Sequence, residues 1–287
     1  MLRKLGIKWR LMRVLILLLV IAAVCAVFFQ WSNHAIQIAY FAQSFSDLPS
    51  GFDGCKLVVL SDLHGAYFGE ENTRLFEITA QEQPDYIFYL GDLEDLYHGP
   101  HPGYAEQIAD GLSEIAPAYY VTGNHEWAIG DVPALKERLI AHGMSVLSNQ
   151  SEILERDGDQ VILAGIDDPN GYADQKTPEE LAVEIYAEWG DPFWILLAHR
   201  NDHFPTQYAL LGADLAISGH GHGGLIRLPF TDGLISTDRT LFPSYTAGLY
   251  EKNGSILFVT RGLGNSGSTF RLFNRPEVAV LTLHREN

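Results

Sequence analysis

Six short apolar runs constrain this chain more than any other feature. Lys56–Leu60 (KLVVL), Tyr86–Leu90 (YIFYL), Ala118–Thr122 (AYYVT), Val161–Ile166 (VILAGI), Phe193–Ala198 (FWILLA) and Leu215–Ser218 are each of strand length. Their β-branched and aromatic content predicts buried strands. Between them Asn72–Gln83, Tyr104–Ile115, Val132–His142 and Pro178–Trp189 carry helical spacing. The last opens with Thr177-Pro178-Glu179-Glu180, an N-cap followed by proline in the first turn. The alternation predicts an α/β fold with helices covering its sheets. Ser255–Arg261 and Val278–His284 add strands with no helix between them. No internal repeat or low-complexity segment interrupts the pattern, so residues 55–287 read as one domain.

Five of the runs end in polar residues of one kind. The first leads into Asp62-Leu63-His64, the second into Gly91-Asp92-Leu93-Glu94-Asp95, and the third into Gly123-Asn124-His125-Glu126. The fifth leads into His199-Arg200-Asn201 and the sixth into Gly219-His220-Gly221-His222. Each has an ordinary structural explanation: a helix N-cap for Asp62 or Asp92, a turn for Asn124, a hydrogen-bonded buried imidazole for His199. Together they matter more, because the carboxyl ends of strands in an α/β sheet form the crevice where ligands bind. Two carboxylates, an amide oxygen and four imidazoles exceed what one catalytic ion takes from protein, which implies two divalent ions. A donor set of oxygen and nitrogen without thiolate suits Mn, Fe or Zn and does not choose among them.

The ordered series DLH, GDLED, GNHE, H and GHGH resembles the calcineurin-like metallophosphoesterase superfamily, over about Lys56–His284. Tyr245–Tyr250 (YTAGLY), Leu257–Gly264 (LFVTRGLG) and Arg275-Pro276-Glu277 also resemble its membrane-associated bacterial branch. The resemblance implies a four-layer α/β/β/α sandwich with a binuclear site that hydrolyses a phosphoester. Asp62, His64 and His222 would hold one ion, Asn124, His199 and His220 the other, and Asp92 would bridge them. His125 would be the non-ligand histidine near the leaving group, with Asp95 as its orienting partner. Gly221 departs from the threonine often found between the last two histidines, and Arg200-Asn201-Asp202 departs from the usual sequence after His199. Arg200, Arg261 and Arg271 are candidates for binding a second phosphate or a headgroup, Arg200 foremost. His98 and His101 read as residues of a Gly/Pro-rich surface loop. A phosphodiesterase or pyrophosphohydrolase is the expected activity; a phosphomonoesterase is the alternative. A non-catalytic scaffold would show a lost ligand or a replaced His125, and neither occurs.

The first 54 residues have a different character. Arg3, Lys4, Lys8, Arg10 and Arg13 precede an uncharged apolar run, Val14–Phe29, bracketed by Trp9 and Trp31. Those tryptophans stand roughly 33 Å apart along a helix, the span of a bilayer with aromatic anchors at both interfaces. Residues 1–13 therefore read as a basic cytoplasmic N-terminus, 14–31 as a transmembrane anchor and 32–54 as a linker. The basic cluster predicts that the large domain lies outside the cytoplasm. Val24-Cys25-Ala26 would also serve as a signal-peptide cleavage site; the apolar run continues past it through Phe29, which favours an uncleaved anchor. A helix lying in the interface would instead leave the domain cytoplasmic. The anchor suits a lipid-linked substrate. Five of the 19 basic residues lie in the N-terminus, leaving 14 against 36 acidic ones. Such a body repels nucleic acid, and none is expected as a partner. Two cysteines, Cys25 and Cys55, provide no disulfide framework.

Overall fold

The computed structural model describes residues 2–99, 101–228, 232–237, 239–267 and 269–286, with side chains from Lys8 onward. The strands are β1 (Gln37–Phe45), β2 (Lys56–Leu60), β3 (Tyr86–Tyr89), β4 (Ala118–Tyr120), β5 (Ser145–Val146), β6 (Gln150–Arg156) and β7 (Asp159–Gly165). They continue with β8 (Trp194–Arg200), β9 (Leu215–Gly219), β10 (Ile226–Arg227), β11 (Gly233–Ile235), β12 (Gly248–Lys252), β13 (Ser255–Val259) and β14 (Glu277–Arg285). The helices are α1 (Leu2–His34), α2 (Thr73–Gln81), α3 (Tyr104–Ser113), α4 (Asn124–Ile129), α5 (Val132–Ala141) and α6 (Pro178–Trp189).

Two six-stranded sheets, ordered β1-β14-β2-β3-β4-β5 and β12-β13-β9-β8-β7-β6, face each other. The two-residue period of the strands builds the layers. Leu57 and Val59 of β2 point between the sheets with Leu163 of β7 and Ile195 and Leu197 of β8. Val58 and Leu60 point the other way, onto Leu75, Ile108 and Leu139 of α2, α3 and α5. On the far face of the second sheet, Ile162, Trp194 and Leu196 meet Leu181 and Ile185 of α6. Strands buried on both faces need apolar residues throughout, which is why their runs are unbroken. The result is the expected four-layer α/β/β/α sandwich.

The stretch 32–54, expected as a linker, is part of the domain. β1 pairs in parallel with β14 over nine residues, from Gln37 to Phe45, and a short 3-10 turn follows at Ser50–Phe52 with Phe52 buried. As a half-exposed edge strand, β1 carries only a partial apolar alternation, and its partner lies some 240 residues downstream. Local sequence does not announce such a pairing. The edge strand β6 (QSEILER) was hidden by its polar composition, although its partner β7 follows it directly across a tight turn.

α1 contains a stretch, Lys8–His34, long and apolar enough to cross a membrane. Its exposed side chains run through Trp31, after which Ser32 and Asn33 are buried against the domain.

Candidate metal centre

β2, β3 and β4 are adjacent and parallel in one sheet, and β8 and β9 are adjacent and parallel in the other. Their carboxyl ends lie on one edge of the sandwich and bring all seven expected ligands together. Asp62, His64 and His222 form one group and Asp92, His199 and His220 a second, each with donor atoms within 4.8 Å of one another. His64 Nε2 stands 3.2 Å from His222 Nε2, which is 3.5 Å from Asp62 Oδ1. In the second group His199 Nε2 stands 3.1 Å from His220 Nδ1 and 3.2 Å from Asn124 Oδ1. Asp92 Oδ2 reaches both groups, 3.3 Å from His199 Nε2 and 3.7 Å from His64 Nε2.

Five of these seven residues, Asp62, His64, Asp92, His220 and His222, adopt positive φ between 46° and 64°. Non-glycine residues take that region at a cost, and such residues concentrate at functional sites. Two glycines beside the last two histidines are required for space. A Cβ on Gly219 would stand 2.0 Å from Ser61 Oγ and 2.8 Å from Asp62 Oδ2, and one on Gly221 would stand 2.8 Å from Asn201 Nδ2. Gly219 lets β9 approach β2, while the histidines themselves take the left-handed backbone. The absence of threonine at 221 follows from Asn201, whose Nδ2 donates to the Tyr245 carbonyl at 2.7 Å beside it.

The donors fit divalent ions. Asp62 Oδ1 and Asp95 Oδ1 are buried without a hydrogen-bond partner, as is His64 Nδ1, and unpaired buried carboxylate oxygens call for a cation. Burial depresses the His64 and His220 imidazoles well below their ordinary value and lowers His222. Neutral rings with free lone pairs are the form a metal takes. Burial opposes charge on His199 too, but Asp92 outweighs it and raises that imidazole to about 10. The Asp92 carboxyl, which burial alone would push up, is held well below its usual range by His199, His64 and His125. His199 Nδ1 lies 2.6 Å from the Leu90 carbonyl; donating there leaves Nε2 free to ligate.

Around this centre Asp95 does more than its expected pairing with His125. Its Oδ1 lies 3.2 Å from His125 Nδ1 and 3.8 Å from His64 Nδ1, and its Oδ2 accepts from Gly267 N at 3.0 Å and contacts His98. His98, expected as a surface-loop residue, therefore belongs to the site. A local turn closed by the Gly99 N–H on the Asp95 carbonyl at 2.9 Å brings His98, still exposed in its loop, onto Asp95. His101 packs elsewhere, against Tyr67 and Tyr104. His125 Nδ1 accepts the Leu96 N–H at 2.9 Å, while its Nε2 faces Ser266 Oγ at 3.3 Å.

The three candidate arginines separate. Arg200 lines a cleft of ≈ 810 Å³ with Tyr97, His98, His125, His220 and Ser266, held through Nε by Asp168 at 2.8 Å. A second cleft of ≈ 460 Å³ shares Arg200 and His220. Arg261 is bound to Glu277 at 2.6 Å. Arg271, a candidate for binding a second phosphate or a headgroup, is wholly buried, its Nη2 bonded to the Gly264 carbonyl at 2.7 Å and 3.2 Å from His222 Nδ1. It lies behind the metal ligands, where no substrate reaches.

Two supporting groups escaped the sequence reading. Glu126 accepts backbone N–H groups of Asp92, Leu93 and Gly123 at 2.7–3.0 Å, fixing the turn that carries the central carboxylate. A glutamate three residues after Gly123, at the third position of α4, is a helix-capping spacing that could have revealed it. Asn274 Nδ2 donates to the His222 carbonyl at 2.7 Å, and no local pattern marks it.

Comparison with known proteins agrees with this architecture. The family model for calcineurin-like phosphoesterases matches residues 55–224. The uncharacterized metallophosphoesterase YkuE of Bacillus subtilis is 31% identical over 264 residues, covering 88% of this chain and 87% of its own length. A Danio rerio transmembrane protein with a metallophosphoesterase domain is 30% identical, covering 82% of this chain and 54% of that protein. Phosphodiesterase YaeI of Escherichia coli is 27% identical, with 79% and 82% covered. Fold, ligand cluster and relatives converge: the chain belongs to the calcineurin-like phosphoesterase family and is a metal-dependent phosphoester hydrolase.

Proposed function

We propose that the chain is a membrane-anchored phosphodiesterase with a binuclear metal site, its catalytic domain outside the cytoplasm. The observation that carries this reading is Asp92, whose carboxylate reaches two complete donor groups at once. Asp62, His64 and His222 would hold one ion, Asn124, His199 and His220 the other, with Asp92 between. Bound there, two divalent ions supply an activated water and neutralise charge on the phosphate oxygens.

The protein's own groups do the rest. A ring nitrogen that accepts a backbone N–H carries no hydrogen in the neutral imidazole, so His125 Nδ1, occupied by Leu96, leaves the proton on Nε2. That N–H faces the cleft. In its doubly protonated form His125 would give the Nε2 proton to the departing alkoxide as the ester P–O bond breaks, and the ring would be left neutral. Asp95 stands beside Nδ1 to receive a hydrogen when the ring is doubly protonated. Asp168 aims Arg200 at the phosphate oxygens. The two clefts meeting at Arg200 and His220 give each substituent of a diester its own space, which favours a diester over a monoester. The Escherichia coli relative named as a phosphodiesterase supports the same choice. The five basic residues ahead of the apolar run support the outward orientation.

The test is full-length protein stripped by chelator, reloaded with Mn²⁺ and assayed on bis(p-nitrophenyl) phosphate and p-nitrophenyl phosphate, with bound metal counted. Asp92→Asn is expected to lose metal and turnover together. His125→Ala is expected to keep its metal and lose about 10²–10⁴ in kcat. Faster turnover of the monoester, or a fully active Asp92→Asn, overturns the reading.

A further inference from the structure

The end of α1 does not hang from the domain; it is built into the wall of the catalytic cleft. Phe28 packs on Phe273 with ring centroids 4.9 Å apart, and Phe29 on Phe270 at 5.7 Å. The Arg275 guanidinium lies 4.6 Å from the Trp31 ring and donates to the Ala35 carbonyl at 2.8 Å. Asn33 binds the backbone of Arg271. All of these partners belong to residues 264–275, the segment that also places Ser266 on His125 and Gly267 N on Asp95.

The helix gives this segment a depth. Between Phe29, the last residue of the apolar run, and Asn33, buried in the domain, lie about 6 Å of helix. One interfacial layer of a bilayer is about 5–7 Å thick. With α1 across a bilayer, the described residues of 264–275 would lie at headgroup depth, and so would the cleft they line. The surface there is apolar where the body of the protein is acidic. Phe270, Phe273, Leu241, Phe242 and Tyr97 are all exposed, Phe242 at 73% and Tyr97 at 71%. They form one connected rim: Leu272 exchanges backbone hydrogen bonds with Leu225 and Arg227, which lead into β10, and β11 bridges to Leu241. Tyr97 packs over Gly267. Exposed apolar side chains gathered around a pocket mark a contact surface, and this one is continuous with the exposed face of α1.

We infer that this rim seats the cleft in the membrane surface and that the substrate is an amphiphilic phosphodiester whose alkyl chain stays in the bilayer. The inference rests on α1 spanning the membrane and on the hydrolase reading above. Its first test needs no catalysis. Full-length protein with Cys25→Ser and a nitroxide at Phe242→Cys is placed in phosphatidylethanolamine/phosphatidylglycerol vesicles beside a control labelled at Glu188→Cys on α6. The label at 242 is expected to be shielded from a water-soluble nickel chelate and open to oxygen, the reverse of 188. Equal nickel access at both positions overturns the rim.

The second test compares p-nitrophenyl hexadecyl phosphate in those vesicles with p-nitrophenyl ethyl phosphate in solution, both with Mn²⁺. The hexadecyl ester is expected to be turned over with kcat/KM at least about tenfold higher, and Phe242→Ser with Phe270→Ser to cut that ratio about tenfold. Equal values overturn the substrate class. No release of p-nitrophenolate from either ester instead removes the hydrolase reading and the substrate class with it, while the label depth is decided separately.

Discussion

Asn33 grips Arg271 by both backbone groups: its Oδ1 accepts the Arg271 N–H at 2.7 Å and its Nδ2 donates to the Arg271 carbonyl at 3.0 Å. The Arg271 guanidinium then lies 3.2 Å from His222 Nδ1. A residue in the last turn of an apolar helix is thus two contacts from an expected metal ligand. Asn33→Ala leaves a buried N–H and carbonyl without partners, at a cost of about 2–3 kcal/mol. Thermal melting of the full chain should show a lower midpoint and less added stability from Mn²⁺ than in the parent. An unchanged response to Mn²⁺ would make the contact purely structural.

Glu126 anchors the turn that presents Asp92, through three backbone N–H groups. Glu126→Ala exposes three unmet buried donors, about 3 kcal/mol or more, and should release metal as the turn loosens. Glu126→Gln keeps one acceptor oxygen and should lie between the two in both melting point and metal content.

Gly219 permits a close approach between the two sheets at the site. A methyl group there would collide with Ser61 Oγ and press on the Asp62 carboxylate. Gly219→Ala is expected to fold, because its clash is confined to the strand ends, and to bind Mn²⁺ about tenfold more weakly in calorimetry, the size of change seen when a ligand's support is disturbed. Parent-like affinity would mean that the edge yields more readily than the packing indicates.

Far from the metals, Asp214 accepts the Trp194 N–H at 2.7 Å. Burial raises its carboxyl to about 7, and Asp47 beside it acts in the same direction. The unfolded carboxyl titrates near 3.8, so between these values the folded state holds the extra proton. Stability from this group is present below about 4 and is lost as pH rises through about 7. Asp214→Asn, which stays neutral, should melt higher than the parent at pH 8 and show a flatter profile across the window. A parallel profile would assign the pH dependence to other groups.

Much of the fold and site was legible because buried strands and site chemistry leave local marks. β2 coincides with its predicted bounds, α6 runs from Pro178 to Trp189 as predicted, and the seven expected ligands, gathered at one edge, sit where apolar runs end. β1 and β6 were not legible, since edge strands are half-polar; β1 in addition takes its partner from the far end of the chain.

The sequence by itself determined that helices cover the sheets and that polar donors stand at the strand ends, because unbroken apolar runs and strand-end polarity are properties of contiguous residues; the four-layer order was what the family resemblance implied. Only the tertiary structure decided what surrounds the donors. Arg271 is behind the site rather than in it, and Asn33 joins the apolar helix to the cleft wall. Both depend on where a side chain comes to rest against other parts of the fold. For Asn33 and Arg271 that means packing between segments more than 230 residues apart, where the desolvation of one group is met by a partner that no local pattern specifies.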